Sequence, residues 1–142
     1  MKVAFGTDER TALTDAIKAA LVDAGHDVEV IGEDVVWTDV GRGVGEAVAA
    51  GRADRGVVCC WTGTGVSIAA NKVPGVRAAL CTDAETASGA RRWNDANVLA
   101  LGLRLTSEEV AKEMLTAFLD GSPDPDELET IAGIEPTIRP AG

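Results

Sequence analysis

From residue 2 to about residue 119, short apolar runs alternate with stretches in which apolar residues return every three or four positions. The runs Lys2 to Gly6, Asp27 to Ile31, Gly56 to Cys60, Arg77 to Cys81 and Val98 to Gly102 read as strands. The stretches Thr11 to Ala24, Val40 to Ala50, Gly65 to Lys72, Ala84 to Arg92 and Ser107 to Leu119 read as helices. Gly25 marks the end of the first helix, and Ser107-Glu108-Glu109 places acidic groups at the positive end of the last. Strand–helix alternation of this kind predicts βαβ units and an α/β fold around a parallel sheet. Residues 1–120 form that domain. From residue 121 to 142 the composition turns to Pro123, Pro125, Pro136 and Pro140 with Asp124, Asp126, Glu127 and Glu129. One short helix, Asp126 to Ala132, is expected in this acidic tail, the rest being a strap or a frayed terminus.

Composition narrows the picture. A chain of 142 residues has room for one domain, and 46% apolar residues with only three Trp, two Phe and no Tyr imply a core of Ala, Val, Leu and Ile. A chain of this size buries about 70% of its unfolded surface and needs neither disulfide nor metal to fold. No apolar run reaches membrane-spanning length and the first residues lack a signal-peptide pattern, so a cytoplasmic location is the default expectation. Thirteen Lys plus Arg against 23 Asp plus Glu leave a net charge of −10. That charge disfavours nucleic acid and anionic lipid as partners. Cys59, Cys60 and Cys81 have no zinc spacing, two of them are adjacent in one strand and face opposite ways, and a reducing compartment fits. His26, the one histidine, sits in a helix-to-strand turn and cannot anchor a His-based metal site.

In an open parallel sheet, ligands bind beyond the carboxyl ends of the strands. Those ends carry Thr7-Asp8-Glu9-Arg10, the run Cys60-Trp61-Thr62-Gly63-Thr64-Gly65, and Thr82-Asp83. The second run passes from a buried strand through a glycine-rich turn into a helix, so amides from Gly63 through Thr64, Gly65 and Val66 to Ser67 can converge on an anion. The glycines also have a plain explanation in tight packing. Cys60 is either a small buried apolar residue or a thiol at a positive helix end, able to act as base or nucleophile. Asp8 either holds a hydroxyl or passes a proton, or else caps the following helix. Glu9 and Arg10 read as solvated loop charges. Trp61 and Trp93, both in polar or glycine-rich loops, read as a pocket wall or an interface.

Three segments together go further: Gly6-Thr7-Asp8; Cys60-x-Thr62-Gly63-x-Gly65-x-Ser67-Ile68-Ala69-Ala70-Asn71-Lys72 with Gly75-Val76-Arg77-Ala78; and the stretch from Asn94 through Asn97-Val98-Leu99 to Arg104. In this order the chain resembles the type B ribose-5-phosphate isomerase family, which includes the galactose-6-phosphate isomerase subunits. The likeness covers about residues 1–120. It implies a three-layer α/β/α Rossmann-like fold with a five-stranded parallel sheet, and cofactor-free, metal-free aldose–ketose isomerisation of a sugar through a cis-enediolate. It also implies a homodimer with shared active sites, alone or paired into a tetramer. Cys60 would be the base between C1 and C2, the Gly63 to Ser67 amides would hold the oxyanion, and Asp8 and Thr62 would bind sugar hydroxyls. Asn94 would reach in from the partner subunit. Asn94 precedes the fifth strand, at the wrong end of its own sheet for Cys60, which independently points to a second subunit.

The chain departs from the family pattern at specific places. Glu9 stands where the family has His, Trp93 stands for the His before Asn94, and Trp61 for the glycine after the cysteine. The C-terminal arginines that grip a phosphate are replaced by the acidic tail, which repels a dianion by on the order of 1 kcal/mol per exposed close pair. The expected substrate is therefore not ribose 5-phosphate but an acyclic sugar such as a tetrulose derivative or keto-sugar acid, or a neutral or singly charged sugar, with Arg10, Arg42 or Arg104 able to meet one carboxylate or phosphate. Trp61 and Trp93 would shrink the pocket or stack on the substrate. Two other readings compete: a non-catalytic partner subunit or sugar-binding module, and a nucleotide-binding regulator. The last lacks both a lysine after the glycines and a Gly-x-Gly-x-x-Gly after the first strand.

Overall fold

The computed structural model describes residues 1–135. In chain order the elements are β1 (Lys2–Thr7), α1 (Ala12–Asp23), β2 (Asp27–Gly32), α2 (Trp37–Ala49), β3 (Arg55–Cys60), α3 (Thr64–Asn71), β4 (Ala78–Leu80), α4 (Ala84–Asn94), β5 (Val98–Gly102), α5 (Glu108–Asp120) and, after a 3₁₀ turn at Pro125–Glu127, α6 (Leu128–Ala132). The short helix expected in the tail is thus the 3₁₀ turn and α6; Pro136 and Pro140 lie outside the described residues. Among the described residues no helix is long and apolar enough to cross a membrane.

All five strands are parallel, in the order β2-β1-β3-β5-β4. Growth of the sheet changes direction between β1 and β3, so the loops leaving these two neighbours diverge and open a crevice at their carboxyl ends. Alternation along the strands supplies two cores. Val3, Phe5, Val57, Cys59, Leu99 and Leu101 face one side with α1, α4 and α5. Ala4, Val58, Cys60, Val98 and Ala100 face the other with α2 and α3. The three-layer α/β/α arrangement follows, and the two adjacent cysteines do point to opposite faces. Each fully buried Phe, Leu or Val contributes about 1.5–3 kcal/mol relative to an exposed one.

Two element boundaries differ from the sequence expectation in ways that matter for function. Helix α2 starts at Trp37 rather than Val40, because its apolar period begins only where Val40 and Val44 reach the sheet, whereas Trp37 faces away from that core. Helix α4 continues through Trp93 to Asn94, so Trp93 is a helical residue and not a loop one. The extension is held by Asp95, which adopts the left-handed conformation (φ 47°, ψ 43°) and takes an ion pair from Arg91 one turn back at 2.9 Å. Helices α2 and α3 pack closely through Gly41, where a Cβ would lie 2.6 Å from the Ala69 Cβ and 2.7 Å from the Val66 carbonyl oxygen.

Candidate active site

The crevice between β1 and β3 brings two of the candidate site residues, Asp8 and Cys60, together. Thr7 lies opposite Cys59 in the parallel register, and the Asp8 amide donates to the Cys59 carbonyl at 3.2 Å. Asp8 therefore leaves the sheet beside Cys60, whose side chain faces the α2–α3 layer and is 5% exposed. Both line a cavity of about 280 Å³ together with Trp37, Trp61, Thr62, Thr64 and Gly65.

From Cys60 the chain turns into α3 through Trp61-Thr62-Gly63. The Cys60 and Trp61 carbonyls accept from the Leu103 and Arg104 amides, each at 2.9 Å, so the loop after β5 braces the turn. Gly63 is the N-cap of α3 with φ +79°, and a Cβ there would meet the Leu101 carbonyl carbon at 2.8 Å and the Gly102 nitrogen at 2.9 Å. Only glycine fits both the backbone angle and the space. The Thr62 and Thr64 hydroxyls are hydrogen-bonded at 2.8 Å across the mouth of the turn. The Ser67 amide already donates to the Gly63 carbonyl at 3.3 Å, which removes it from the expected anion nest. The open amides of the helix end are those of Thr64, Gly65 and Val66, while the Val66 side chain itself is buried.

Asp8 does not cap α1. Thr11 does, in a reciprocal pair with Thr14, which leaves Asp8 free for the crevice. One carboxylate oxygen of Asp8, Oδ1, is sealed from solvent with no hydrogen-bond partner among the described residues. Burial first, and then the neighbouring Glu9 charge, push the Asp8 carboxyl above its ordinary value. Thr7 fixes the loop by donating its hydroxyl to the Glu9 carbonyl at 2.7 Å.

The remaining expected site residues divide. Trp61 lines the cavity and is 57% exposed. Glu9 is exposed outside it, and Arg10 is tied to α1 and the loop after β2, through Asp15 at 2.9 Å and an amide donation to Asp34 at 2.8 Å. Arg42 pairs with Asp39 at 3.3 Å. Arg104 is exposed at the loop that holds Trp61 and enters no ion pair among the described residues. Trp93 and Asn94 do not join Cys60. They border a separate cavity of about 670 Å³ with Leu80, Cys81 and Gly89. The Arg91–Asp95–Arg77 network pins the end of α4 there. Burial, and secondarily Asp83, push the Cys81 thiol up to about 11, and burial first also raises Cys59, so both stay protonated in their cores. Among the described residues no three His, Cys, Asp or Glu side chains converge to hold a metal ion.

Trp37 escaped the sequence reading. It stands beyond the carboxyl end of β2, directly after Val35-Val36, and the rule that ligands gather at such ends applies to that loop as to the others.

Residues 3–131 match the family model described as Ribose/Galactose Isomerase. A D-erythrulose-4-phosphate isomerase from Pectobacterium atrosepticum is 36% identical over 84% of this chain and 83% of its own length. The ribose-5-phosphate isomerase B of Escherichia coli is 39% identical over 94% of this chain and 96% of its own. Among solved structures, a type B ribose 5-phosphate isomerase from Trypanosoma cruzi superposes with a TM-score of 0.88 at 38% identity, covering 94% of this chain and 95% of that one.

Proposed function

The chain belongs to the ribose/galactose isomerase family, and from that premise we propose that this aldose–ketose isomerase acts on an acyclic four-carbon sugar phosphate or a close analogue through an enediolate. The observation that carries the reading is the shared cavity of Asp8, Cys60 and the open end of α3, at the crevice between β1 and β3. In the ketose-to-aldose direction the Cys60 thiolate takes a proton from C1. The C–H electron pair forms the C1–C2 double bond, and the carbonyl electrons move onto O2. The Thr64, Gly65 and Val66 amides face that oxyanion. Thr62 or Asp8 relays the O1 proton to O2, and the Cys60 thiol returns its proton to C2 as the C1 carbonyl forms. Every proton removed is returned, so no redox cofactor is consumed.

A four-carbon substrate explains the missing imidazoles. With O4 esterified, a tetrose or tetrulose has no hydroxyl placed to close a five- or six-membered ring on its carbonyl, so nothing has to be opened. The erythrulose phosphate named for the Pectobacterium relative is of this kind. Of the three candidate arginines Arg104 is the one that, among the described residues, is not committed to a carboxylate, and it is assigned the substrate's anionic end. Trp61 walls the cavity against larger sugars.

The enzyme is further proposed to be a cytoplasmic homodimer with shared sites. Trp37, Trp61 and Trp93 are 42%, 57% and 53% exposed, and Ile68 and Leu80 are exposed as well. Large exposed apolar groups of this kind favour a covered surface. Asn94, held away from its own Cys60, then serves the neighbouring subunit's site.

The test is proton NMR in D2O with four-, five- and six-carbon aldoses and ketoses, phosphorylated and free. Deuterium is expected at C1 or C2 of a tetrose or tetrulose phosphate with the native protein and not with Cys60→Ala. Faster exchange into ribose 5-phosphate than into any tetrulose would overturn the substrate assignment. Sugar binding without any exchange would favour a binding module.

A further inference from the structure

Helix α3 supplies the anion-holding amides, yet its N-cap is Gly63 and, among the described residues, no side chain caps its first turn. Amides serve a developing oxyanion only if they are held in place before the charge appears. The neighbour that meets this turn from the side is Trp37. At Gly65, the second residue of α3, the three atoms nearest to where a Cβ would stand are all in the Trp37 indole: Cε3 at 2.8 Å, Cδ2 at 3.0 Å and Cζ3 at 3.3 Å. The ring occupies the space that any side chain at position 65 would need. Gly65 has no left-handed backbone angle to require glycine. A helical glycine is intrinsically poorer than alanine, and the indole is the neighbour that a side chain at position 65 would strike. The same ring borders a second groove of about 470 Å³ lined by Thr38, Arg42, Ile68 and Lys72, and so stands between that groove and the Cys60 cavity.

We propose that Trp37 is a positioning residue for the oxyanion amides: its indole, seated on Gly65, holds the uncapped turn of α3 in place and shields it from water entering by the outer groove. The proposal rests on the isomerase reading, because it assigns an oxyanion to those amides. Trp37 makes no hydrogen bond to the substrate in this scheme and acts through Gly65.

The test is a double-mutant cycle of Trp37→Ala, Gly65→Ala and the pair, with Trp37→Phe as the conservative variant. Steady-state isomerisation of a tetrulose phosphate is read beside calorimetric binding of a four-carbon phosphohydroxamate, an enediolate mimic. Trp37→Ala is expected to lower kcat by about 10- to 100-fold with KM changed little, and to weaken the hydroxamate correspondingly. Gly65→Ala should do the same by displacing the indole, Trp37→Phe should retain most activity, and the double variant should be no worse than Trp37→Ala alone. A harmless Gly65→Ala, strictly multiplicative effects, or a Trp37→Ala change confined to thermal stability or KM would overturn the proposal. Should Trp37→Ala fail to fold, Trp37→Leu takes its place with the same expectations. If the native protein binds the hydroxamate and the cycle holds while no tetrulose is turned over, the substrate reading falls and the positioning role stands. A native protein that does not bind the hydroxamate overturns both.

Discussion

The Asp8 amide donates to the carbonyl of Cys59 at 3.2 Å, so the carboxylate at the end of β1 and the thiol of Cys60 at the end of β3 leave the sheet at one level. The bond joins residues far apart in sequence, and it exists because β1 and β3 are neighbours at the place where sheet growth reverses.

Asp8 pays for that position. Its raised folded-state carboxyl favours folding at pH below the ordinary carboxylate value of about 4, and this contribution is lost as pH rises through the folded value. Asp8→Asn carries no ionisation cost. Its thermal midpoint relative to the native protein should therefore rise with pH across that window, and a fall in kcat of about 100-fold or more would assign the O1-to-O2 relay to Asp8 rather than Thr62. Melting curves between pH 3 and 7 give the first comparison. An Asn variant that gains nothing with rising pH would contradict it.

Gly63→Ala places a Cβ against the Leu101 and Gly102 backbone in a left-handed residue. The expected loss is at least about 2 kcal/mol of folding free energy, together with disorder at the end of α3. Urea unfolding measures the first, and loss of hydroxamate binding reports the second.

Cys60→Ala and Asn94→Ala lie on different cavities of one chain. If the sites are shared, each variant alone is impaired, and an equal mixture unfolded and refolded together forms heterodimers that contain one intact site. Regain of about a quarter of native activity is expected from random pairing of the two chains. No regain, with dimers confirmed by light scattering, would place both residues in one subunit's site or remove Asn94 from it.

Arg91 is 1% exposed and donates to Asp95 and to the carbonyls of Ala96 and Gly121. Arg91→Ala leaves the Ala96 and Gly121 carbonyls without that donor, leaves Asp95 with Arg77 as its remaining guanidinium partner and empties a buried volume, so about 3–5 kcal/mol of stability should be lost, measured by denaturant titration. Arg91→Lys keeps the charge but not the planar fork and should recover only part of it.

Much of this molecule was legible in its sequence because the signals are local. Val3, Phe5, Val57 and Leu99 announce strands by their clustering, Ser107 announces the start of α5, and Gly63 announces a turn that only glycine can make. Cys59 and Cys60 had to face opposite ways because strand side chains alternate. The family motif around Cys60 and Asn94 is likewise a property of the chain's order. Tertiary structure alone decided the rest. Whether Asp8 capped a helix or faced the crevice depended on Thr11 forming its pair with Thr14. That Ser67 gives up its amide to Gly63 depended on where α3 began, and the helical setting of Trp93 on an ion pair between Arg91 and Asp95. Trp37 carries no motif, and its place on Gly65 follows from the close packing of α2 and α3. Hydrophobic period records which side of an element is buried. It carries no record of which loops meet, because that follows from strand order and from contacts between residues distant in the chain.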